Sequence, residues 1–237
     1  MGENLDNTLK LNILSDNEVI KNTELRKFVQ YKLDKDEFEK ADLLKIEEII
    51  LDGMTISESK NKVYFDEIKL FENLKKIKIS NVNISNEDIE KLKNIEVISF
   101  KKCEIESIKQ LQRVKKLSIN NSQITNFDQI KNLTNLSELE LINIKIDKFE
   151  FLKNFSYLKK LVIKNINNFS MEKINFSLPI EYLSLWNIQN IDEEILKKYP
   201  NLKTLSVEKE KVTQWKEKLD RLKEKQIEVL LNDIYKY

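Results

Sequence analysis

Apolar and polar residues alternate in short runs that recur along most of the chain. The run LSELELINIKI, which begins at Leu136, places leucine or isoleucine at its first, fourth, sixth, ninth and eleventh positions. Similar runs begin at residues 46, 74, 95, 114, 158, 180 and 202. The five starts from 114 to 202 are separated by a constant 22 residues. This constant interval predicts a repeat architecture.

The alternation inside each run predicts a short strand that sends every second side chain inward. After the strand, apolar residues return at every third position, as in the series from Ile146 through Phe149, Leu152 and Phe155 to Leu158. A spacing of three residues is typical of a tight 3-10 turn with one apolar edge. Neither the strand nor the return segment buries its apolar face alone. We therefore expect the units to stack, with their strands in one parallel sheet.

The runs resemble leucine-rich repeats, whose pattern is LxxLxLxxNxL. Their length is similar to that of the compact class found in bacterial internalins and in a eukaryotic phosphatase-regulator family. The resemblance covers roughly residues 46 to 212. It implies an α/β fold, a leucine-rich-repeat solenoid with a curved parallel sheet of about eight to nine short strands. Short helical or 3-10 return segments and a cap at each end complete the expected architecture.

One position departs from the family pattern. The ninth position, where the family carries asparagine, holds Met54, Val82, Cys103, Ser122, Ile144, Ile166, Ile188 and Glu210. Asparagine stands one place earlier, at Asn81, Asn121, Asn143, Asn165 and Asn187. Asparagine tolerates left-handed backbone and forms local hydrogen bonds. We therefore expect an inward, mainly apolar ninth position and an asparagine-marked turn leaving each strand.

The two ends of the chain are predicted to cover the solenoid. Residues 1–45 are expected to form a helical N-terminal cap, since Leu25, Phe28, Val29 and Leu33 follow helical spacing and Phe38, Leu43 and Leu44 precede the first strand. This segment looks like the helical cap of internalins. Residues 46–212 form the repeats. Residues 213–237 are expected to form a C-terminal cap, a helix with Trp215, Leu219 and Leu222 on one face and a closing strand.

The amino-acid composition argues against most kinds of catalytic site. The chain has no histidine, two glycines and one cysteine. It therefore lacks a histidine base for a serine or cysteine nucleophile, a Gly-rich phosphate loop and an internal disulfide. We place Cys103 at an inward position as a small buried group, and paired carboxylates such as Glu47–Glu48 on the surface. We expect no enzyme activity, no catalytic residues, no cofactor and no metal site.

The chain begins with polar and acidic residues, and neither a signal-peptide pattern nor a long apolar run is present. As it stands, the sequence predicts a cytoplasmic protein that does not contact membranes. A secreted or surface location is the alternative for a processed form.

Charge is nearly balanced, with 41 basic and 40 acidic residues and a net charge of +1. The second and third positions of the runs alternate in sign, for example Lys75-Lys76 after Glu47-Glu48. Equivalent residues on adjacent strands lie about 4.8 Å apart, so opposite charges should pair across the sheet. We therefore expect no nucleic-acid partner.

The third, fifth and seventh positions of each run are expected to face solvent on the concave side of the sheet. In three consecutive runs these positions hold Glu138, Glu140, Ile142, Lys160, Val162, Lys164, Tyr182, Ser184 and Trp186. The apolar and aromatic members form a patch rimmed by charge, which is typical of interaction sites. The alternative is that Trp186 folds down over the Asn187 turn or lies under a loop.

These features favour a non-enzymatic protein–protein interaction module that binds a protein partner through the concave face and is monomeric on its own. The partner is not specified by the sequence. One alternative is an internalin-like secreted or surface virulence factor that binds a host protein. Another is a repeat-bearing effector or regulatory subunit of a partner enzyme. A catalytic effector similar to the bacterial ubiquitin ligases with leucine-rich repeats needs a separate domain with a reactive cysteine, whereas Cys103 lies inside a repeat.

Overall fold

The computed structural model describes residues 20–53, 65–167 and 169–232, and its strands are all paired in parallel. In chain order the strands are β1 (Glu48–Asp52), β2 (Lys76–Ser80), β3 (Asn83–Ile84), β4 (Val97–Lys101), β5 (Glu104–Ile105), β6 (Lys116–Asn120), β7 (Gln123–Ile124), β8 (Glu138–Ile142), β9 (Lys160–Lys164), β10 (Tyr182–Trp186), β11 (Thr204–Glu208) and β12 (Glu228–Asn232). The described residues form a main sheet of nine strands in the order β1-β2-β4-β6-β8-β9-β10-β11-β12 and a small sheet β3-β5-β7. The predicted leucine-rich-repeat solenoid is confirmed.

Short helical segments return the chain from one strand to the next. The α-helices are α1 (Thr23–Leu33), α2 (Asn86–Lys91), α3 (Glu193–Leu196) and α4 (Val212–Glu224), and residues 65–68 are also helical. The 3-10 segments are Lys40–Lys45, Phe127–Asn132, Glu150–Asn154, Met171–Ile174 and Lys209–Lys211. The three-residue spacing of apolar positions is confirmed as 3-10 structure where it is most regular. The segment α2 is α-helical, and a capping box between Ser85 and Asp88 fixes its first turn.

The core lies between the main sheet and the return segments and runs through all the described repeats. The register aligns identical positions, so that Leu139, Leu161 and Leu183 lie side by side on β8, β9 and β10. All three leucines are fully buried. Burial of each such side chain contributes about 1.5–3 kcal/mol. Because each repeat covers the apolar face of the next, the stack has one continuous core.

The turns after five of the described strands follow the asparagine prediction. Asn81, Asn121, Asn143, Asn165 and Asn187 have φ between 48° and 57°, in the left-handed region. Lys102 occupies the same place in its repeat with φ 54°. The amide of Asn143 donates a hydrogen bond to the side-chain oxygen of Asn121 in the neighbouring repeat. The turns of these six repeats are therefore equivalent, and one of them carries a lysine.

The ninth positions are buried in the repeats from Val82 to Ile188, as expected. The last copy is an exception, because Glu210 is exposed. Its chain enters a 3-10 turn at Lys209–Lys211 and then α4, so the inward turn of the earlier repeats is not formed. The prediction of an inward Glu210 is therefore wrong. Met54 lies outside the described residues.

At the N-terminal end, α1 packs on the first repeat. Asn22 caps this helix by accepting hydrogen bonds from the backbone amides of Glu24 and Leu25. Leu25 and Val29 are fully buried. The carboxylate of Glu67 accepts the backbone amide of Lys21 at 2.6 Å and so ties the cap to the first return segment. The expectations for the first nineteen residues lie outside the described residues.

The apolar residues before β1 divide between the core and solvent. Phe38 and Leu43 are buried, whereas Leu44 is exposed. Leu44 lies in the 3-10 segment Lys40–Lys45, and its neighbour Leu43 takes the inward side of that segment. Both leucines precede the strand, as expected, but only Leu43 packs into the core.

At the C-terminal end, α4 buries Trp215, Leu219 and Leu222 against the core. The strand β12 follows and pairs in parallel with β11, with Val229 opposite Leu205. Val229 is half-buried and Leu231 is exposed. The described part of this end thus consists of a helix and a ninth strand with its core-facing side only partly covered. Residues 233–237, the end of the predicted C-terminal cap, lie outside the described residues.

Candidate functional site

The concave face is the side of the main sheet formed by the third, fifth and seventh positions of the repeats, opposite the core. The register places the nine predicted binding residues on β8, β9 and β10 in three rows, Glu138–Lys160–Tyr182, Glu140–Val162–Ser184 and Ile142–Lys164–Trp186. The sequence therefore predicted correctly which of these residues are neighbours. Their role in binding a protein stays a prediction.

The exposure of this patch differs from the expectation. Trp186 is 7% exposed and Val162 is 4% exposed, while Tyr182 and Ile142 are half-buried. One contact that covers the indole is Lys164, whose Nζ lies 4.0 Å from the ring centroid. Long lysine side chains lay their aliphatic stems along apolar surface in this way. The expectation of an open aromatic and aliphatic patch is therefore corrected to a largely covered one.

Charges on and beside the concave face pair across adjacent strands, as the alternating signs predicted. Ion pairs join Lys75 to Glu47, Lys76 and Lys78 to Glu48, Lys115 to Glu96, Lys116 to Glu138, Lys160 to Glu140, and Lys159 and Lys203 to Glu181. The Nζ–Oε distances in these pairs run from 2.6 to 3.1 Å. Exposed pairs of this kind are each worth at most about 1 kcal/mol. Their main effect is to avoid columns of like charge.

The two lysines within the patch have different surroundings. Burial disfavours the charged form of Lys160, but its hydrogen bond to Glu140 at 2.7 Å and the charges of Glu140 and Glu138 together outweigh burial and raise the pKa. Burial lowers the pKa of Lys164, and repulsion from Lys160 acts in the same direction, while Glu140 opposes both. Among the described residues Lys164 has no ion pair; its contact is the indole of Trp186.

The next strand, β11, extends the patch with residues that the sequence analysis did not include. Thr204, Ser206 and Glu208 occupy its third, fifth and seventh positions. The Ser184 hydroxyl donates a hydrogen bond to Ser206 Oγ at 3.3 Å, and the Asn232 amide donates to the same oxygen at 2.5 Å. The rule that assigned Trp186 to the concave face also assigns Glu208, because both stand at the seventh position of their runs.

Trp186 and Glu208 each leave one polar atom without a hydrogen bond. Indole Nε1 of Trp186 and carboxylate Oε2 of Glu208 are buried and have no partner in the structure. Buried polar groups in native proteins are usually hydrogen bonded. The two atoms therefore mark the part of the concave face where the intramolecular contacts are incomplete.

The candidate chemical groups elsewhere are engaged in structural contacts. Cys103 is buried; its thiol donates to the carbonyl oxygens of Ile79 and Lys101, and burial raises its pKa. The carboxylate of Glu193 forms an ion pair of 2.6 Å with Arg221 on α4. These groups stabilise the fold, and none of them faces the patch.

Solved structures show the same fold. An internalin (inlF) from Listeria monocytogenes matches with a TM-score of 0.56 and 17% identity, over 92% of this chain and 72% of the internalin chain. Internalin C2 (inlC2) from Listeria monocytogenes matches with a TM-score of 0.55 and 19% identity, over 81% of this chain and 86% of its own. TLR13, solved in complex with ssRNA13, matches with a TM-score of 0.52 and 17% identity, over 73% of this chain and 27% of its own.

No protein-family model matches the chain, and no curated protein matches it. The structural likeness establishes an internalin-like leucine-rich-repeat fold. Within the described ranges, every helix is too short or too polar to cross a lipid bilayer.

Proposed function

We propose that the protein is a non-enzymatic interaction module that binds a partner protein through the concave face at β8 to β11. The observation that carries the proposal is the incomplete polar contact of Trp186 and Glu208, on the same face of the sheet as Tyr182. Tryptophan and tyrosine are the residues most often responsible for binding energy at protein interfaces. Their concentration on β10 makes this strand the centre of the proposed surface.

The shape of the surface supports a protein as the ligand. Parallel strands about 4.8 Å apart present side chains in a regular array, and a partner protein contacts many of them at once. A small molecule is usually bound in a concave pocket that covers most of its surface. An array of nine strands offers extended contact instead.

Nucleic acid is the competing ligand, because TLR13 was solved with ssRNA13. Phosphate binding relies on lysines and arginines that are available to release counterions. On the concave face of this protein Lys76, Lys116 and Lys160 are already paired with glutamates of the same sheet. This pairing favours a protein partner.

Two versions of the proposal differ in location. An internalin-like factor at the cell surface or outside the cell binds a host protein, whereas a scaffold or regulatory subunit inside the cell holds a partner enzyme. Fractionation of the source cells separates the two versions. Both use the same binding surface.

The test is a pull-down from the source cell with the wild-type chain and with the Tyr182→Ala/Trp186→Ala double variant. We expect the wild type to capture a partner and the double variant to lose it while keeping the wild-type circular dichroism spectrum. Tyr157→Ala is the matched control, because Tyr157 is 65% exposed and lies outside the concave face. It should retain the partner. Equal capture by the wild type and the folded double variant rejects the proposal.

A further inference from the structure

The seventh positions of three successive strands form a row on the concave face, in which β9 and β10 are paired, whereas the pairing of β10 with β11 ends two residues earlier, at Ser184 and Ser206. Lys164 on β9, Trp186 on β10 and Glu208 on β11 occupy the row. Trp186 and Glu208 are each 7% exposed, yet indole Nε1 and carboxylate Oε2 have no hydrogen bond with any residue of the described ranges. One unpartnered atom is a donor and the other is an acceptor. A ligand that completes the row must therefore supply one acceptor and one donor.

Lys164 adds a positive charge to the row, and this charge is not paired with a carboxylate of the described residues. Its ammonium lies over the indole ring at 4.0 Å from the centroid, and no ion pair with a described residue is present. Lys160, two positions earlier on the concave face of the same strand, differs because it pairs with Glu140 at 2.7 Å. Burial disfavours the charged form of Lys164 and lowers its pKa. A carboxylate that reaches the ammonium group forms a charge-assisted hydrogen bond and offsets this effect.

The row is exceptional among the described strands. The other buried or half-buried charged residues of the concave face are Glu48, Asp52, Lys76, Glu138, Glu140 and Lys160, and each has an ion pair or a hydrogen bond. Lys164 and Glu208 differ from these residues. They carry opposite charges on β9 and β11, and neither forms an ion pair with a described residue.

We infer that this row binds an extended segment of the partner protein that carries an acidic side chain close to a basic one. The inference rests on the proposed function and specifies the chemistry of its ligand. The acidic side chain accepts hydrogen bonds from Lys164 Nζ and Trp186 Nε1. The basic side chain donates to Glu208. Side chains two residues apart on an extended segment lie on the same side of it, about 7 Å apart, so one segment can present both charges to the concave face.

Binding requires Lys164 to move. Its ammonium covers the indole in the free protein, so an incoming carboxylate pairs with Lys164 and draws it off the ring. The indole then contacts the partner directly. Lysine suits this role because its side chain is flexible and its charge is a single point.

Other ligand classes satisfy only part of the row. A phosphate or a nucleic acid pairs with Lys164 but meets the negative charge of Glu208. A metal ion pairs with Glu208 but is repelled by Lys164. Oppositely charged side chains on one segment satisfy both groups, and charge complementarity of this kind fixes the register of a complex.

The experiment selects displayed random peptides of about 12 residues on the full chain. We expect the wild type to enrich peptides with aspartate or glutamate within two or three positions of lysine or arginine. Lys164→Met should remove the preference for the acidic residue, and Glu208→Gln the preference for the basic one. Each should weaken an enriched peptide about tenfold. Trp186→Phe, which keeps an aromatic ring without the N–H, should also weaken it, and Lys145→Met at an exposed turn should not.

The outcomes separate the inference from the proposed function. Two results overturn the inference and leave the proposed function standing. In the first, the enriched peptides require Tyr182 but show no charge preference. In the second, the charge preference of the wild type persists in both Lys164→Met and Glu208→Gln. If no peptide is enriched, or if Tyr182→Ala binds the enriched peptides as the wild type does, the inference and the proposed function are both overturned. Circular dichroism of each variant verifies that the fold is retained.

Discussion

The Tyr199 hydroxyl donates a hydrogen bond of 2.6 Å to the backbone carbonyl oxygen of Ile174. Both residues are buried and belong to return segments of neighbouring repeats. Burial raises the pKa of the Tyr199 hydroxyl, so it stays protonated as a donor throughout the neutral range. The same carbonyl oxygen also accepts the backbone amide of Phe176 at 2.9 Å, so the Tyr199 hydroxyl is its second donor and joins the two return segments.

Removal of this donor should destabilise the protein. Tyr199→Phe removes this buried hydrogen bond while the carbonyl oxygen of Ile174 keeps the amide of Phe176, and we expect the free energy of unfolding to fall by about 0.5–1.5 kcal/mol. Urea denaturation followed by circular dichroism measures the change. Tyr157→Phe removes a hydroxyl from an exposed side chain and serves as the control, with no change expected. Equal stabilities of the two variants would contradict the assigned role.

Lys102 is the one strained member of the described series of equivalent turns. Its φ of 54° is shared with asparagines in the neighbouring repeats, and asparagine adopts this region more readily than lysine. We expect Lys102→Asn to stabilise the protein by about 0.5–1 kcal/mol. The reverse change, Asn121→Lys, should destabilise it by a similar amount. Thermal unfolding of the two variants tests both signs, and stabilisation by Asn121→Lys would refute the argument.

Glu181 lies between Lys159 and Lys203, at 3.1 and 2.6 Å. The hydrogen bonds from Lys203 and Lys159 lower its pKa below the ordinary value of 4.5. Folding therefore favours the ionised form. Its contribution is fully present above the ordinary pKa and is lost as the pH falls through the lower, folded pKa.

The pH dependence of stability should change when this carboxylate is removed. Glu181→Gln should show a smaller loss of Tm than the wild type between about pH 5 and pH 2, because it has no carboxylate to protonate at this place. Salt at about 1 M should reduce the difference, since exposed charges are screened. Parallel Tm–pH curves for the two proteins would show that the lysines do not favour the charged form.

The pairing of lysines on the concave face predicts weak binding of RNA. We expect a gel shift with single-stranded RNA to show no retention at about 0.15 M salt. Glu48→Gln/Glu138→Gln/Glu140→Gln releases the lysines that these glutamates hold, and we expect it to bind RNA with a steep salt dependence. Tight, salt-dependent binding by the wild type would favour nucleic acid over protein as the ligand.

Much of the fold was predictable because it depends on local pattern. Residues such as Leu139 and Leu161 alternate along the strand with a period of two, so their inward direction follows from their positions alone. The left-handed turn at Asn143 is a local property of asparagine. Pairing of Lys116 with Glu138 followed once the constant interval had set the register. The exposed Glu210 was not predictable from the repeat, because the chain leaves the repeat at that point to begin α4.

The sequence by itself determined which residues of the candidate site share a row, since a fixed repeat length fixes the register of adjacent strands. Only the tertiary structure decided how much of each residue meets solvent. Trp186 and Val162 stand at positions that face away from the core, yet both are buried. The exposure of a residue on a sheet face depends on side chains from neighbouring strands, which are distant in sequence. Lys164 lies over the indole of Trp186 from 22 positions earlier in the chain, and the unpartnered atoms of Trp186 and Glu208 emerge only when that three-dimensional packing is known.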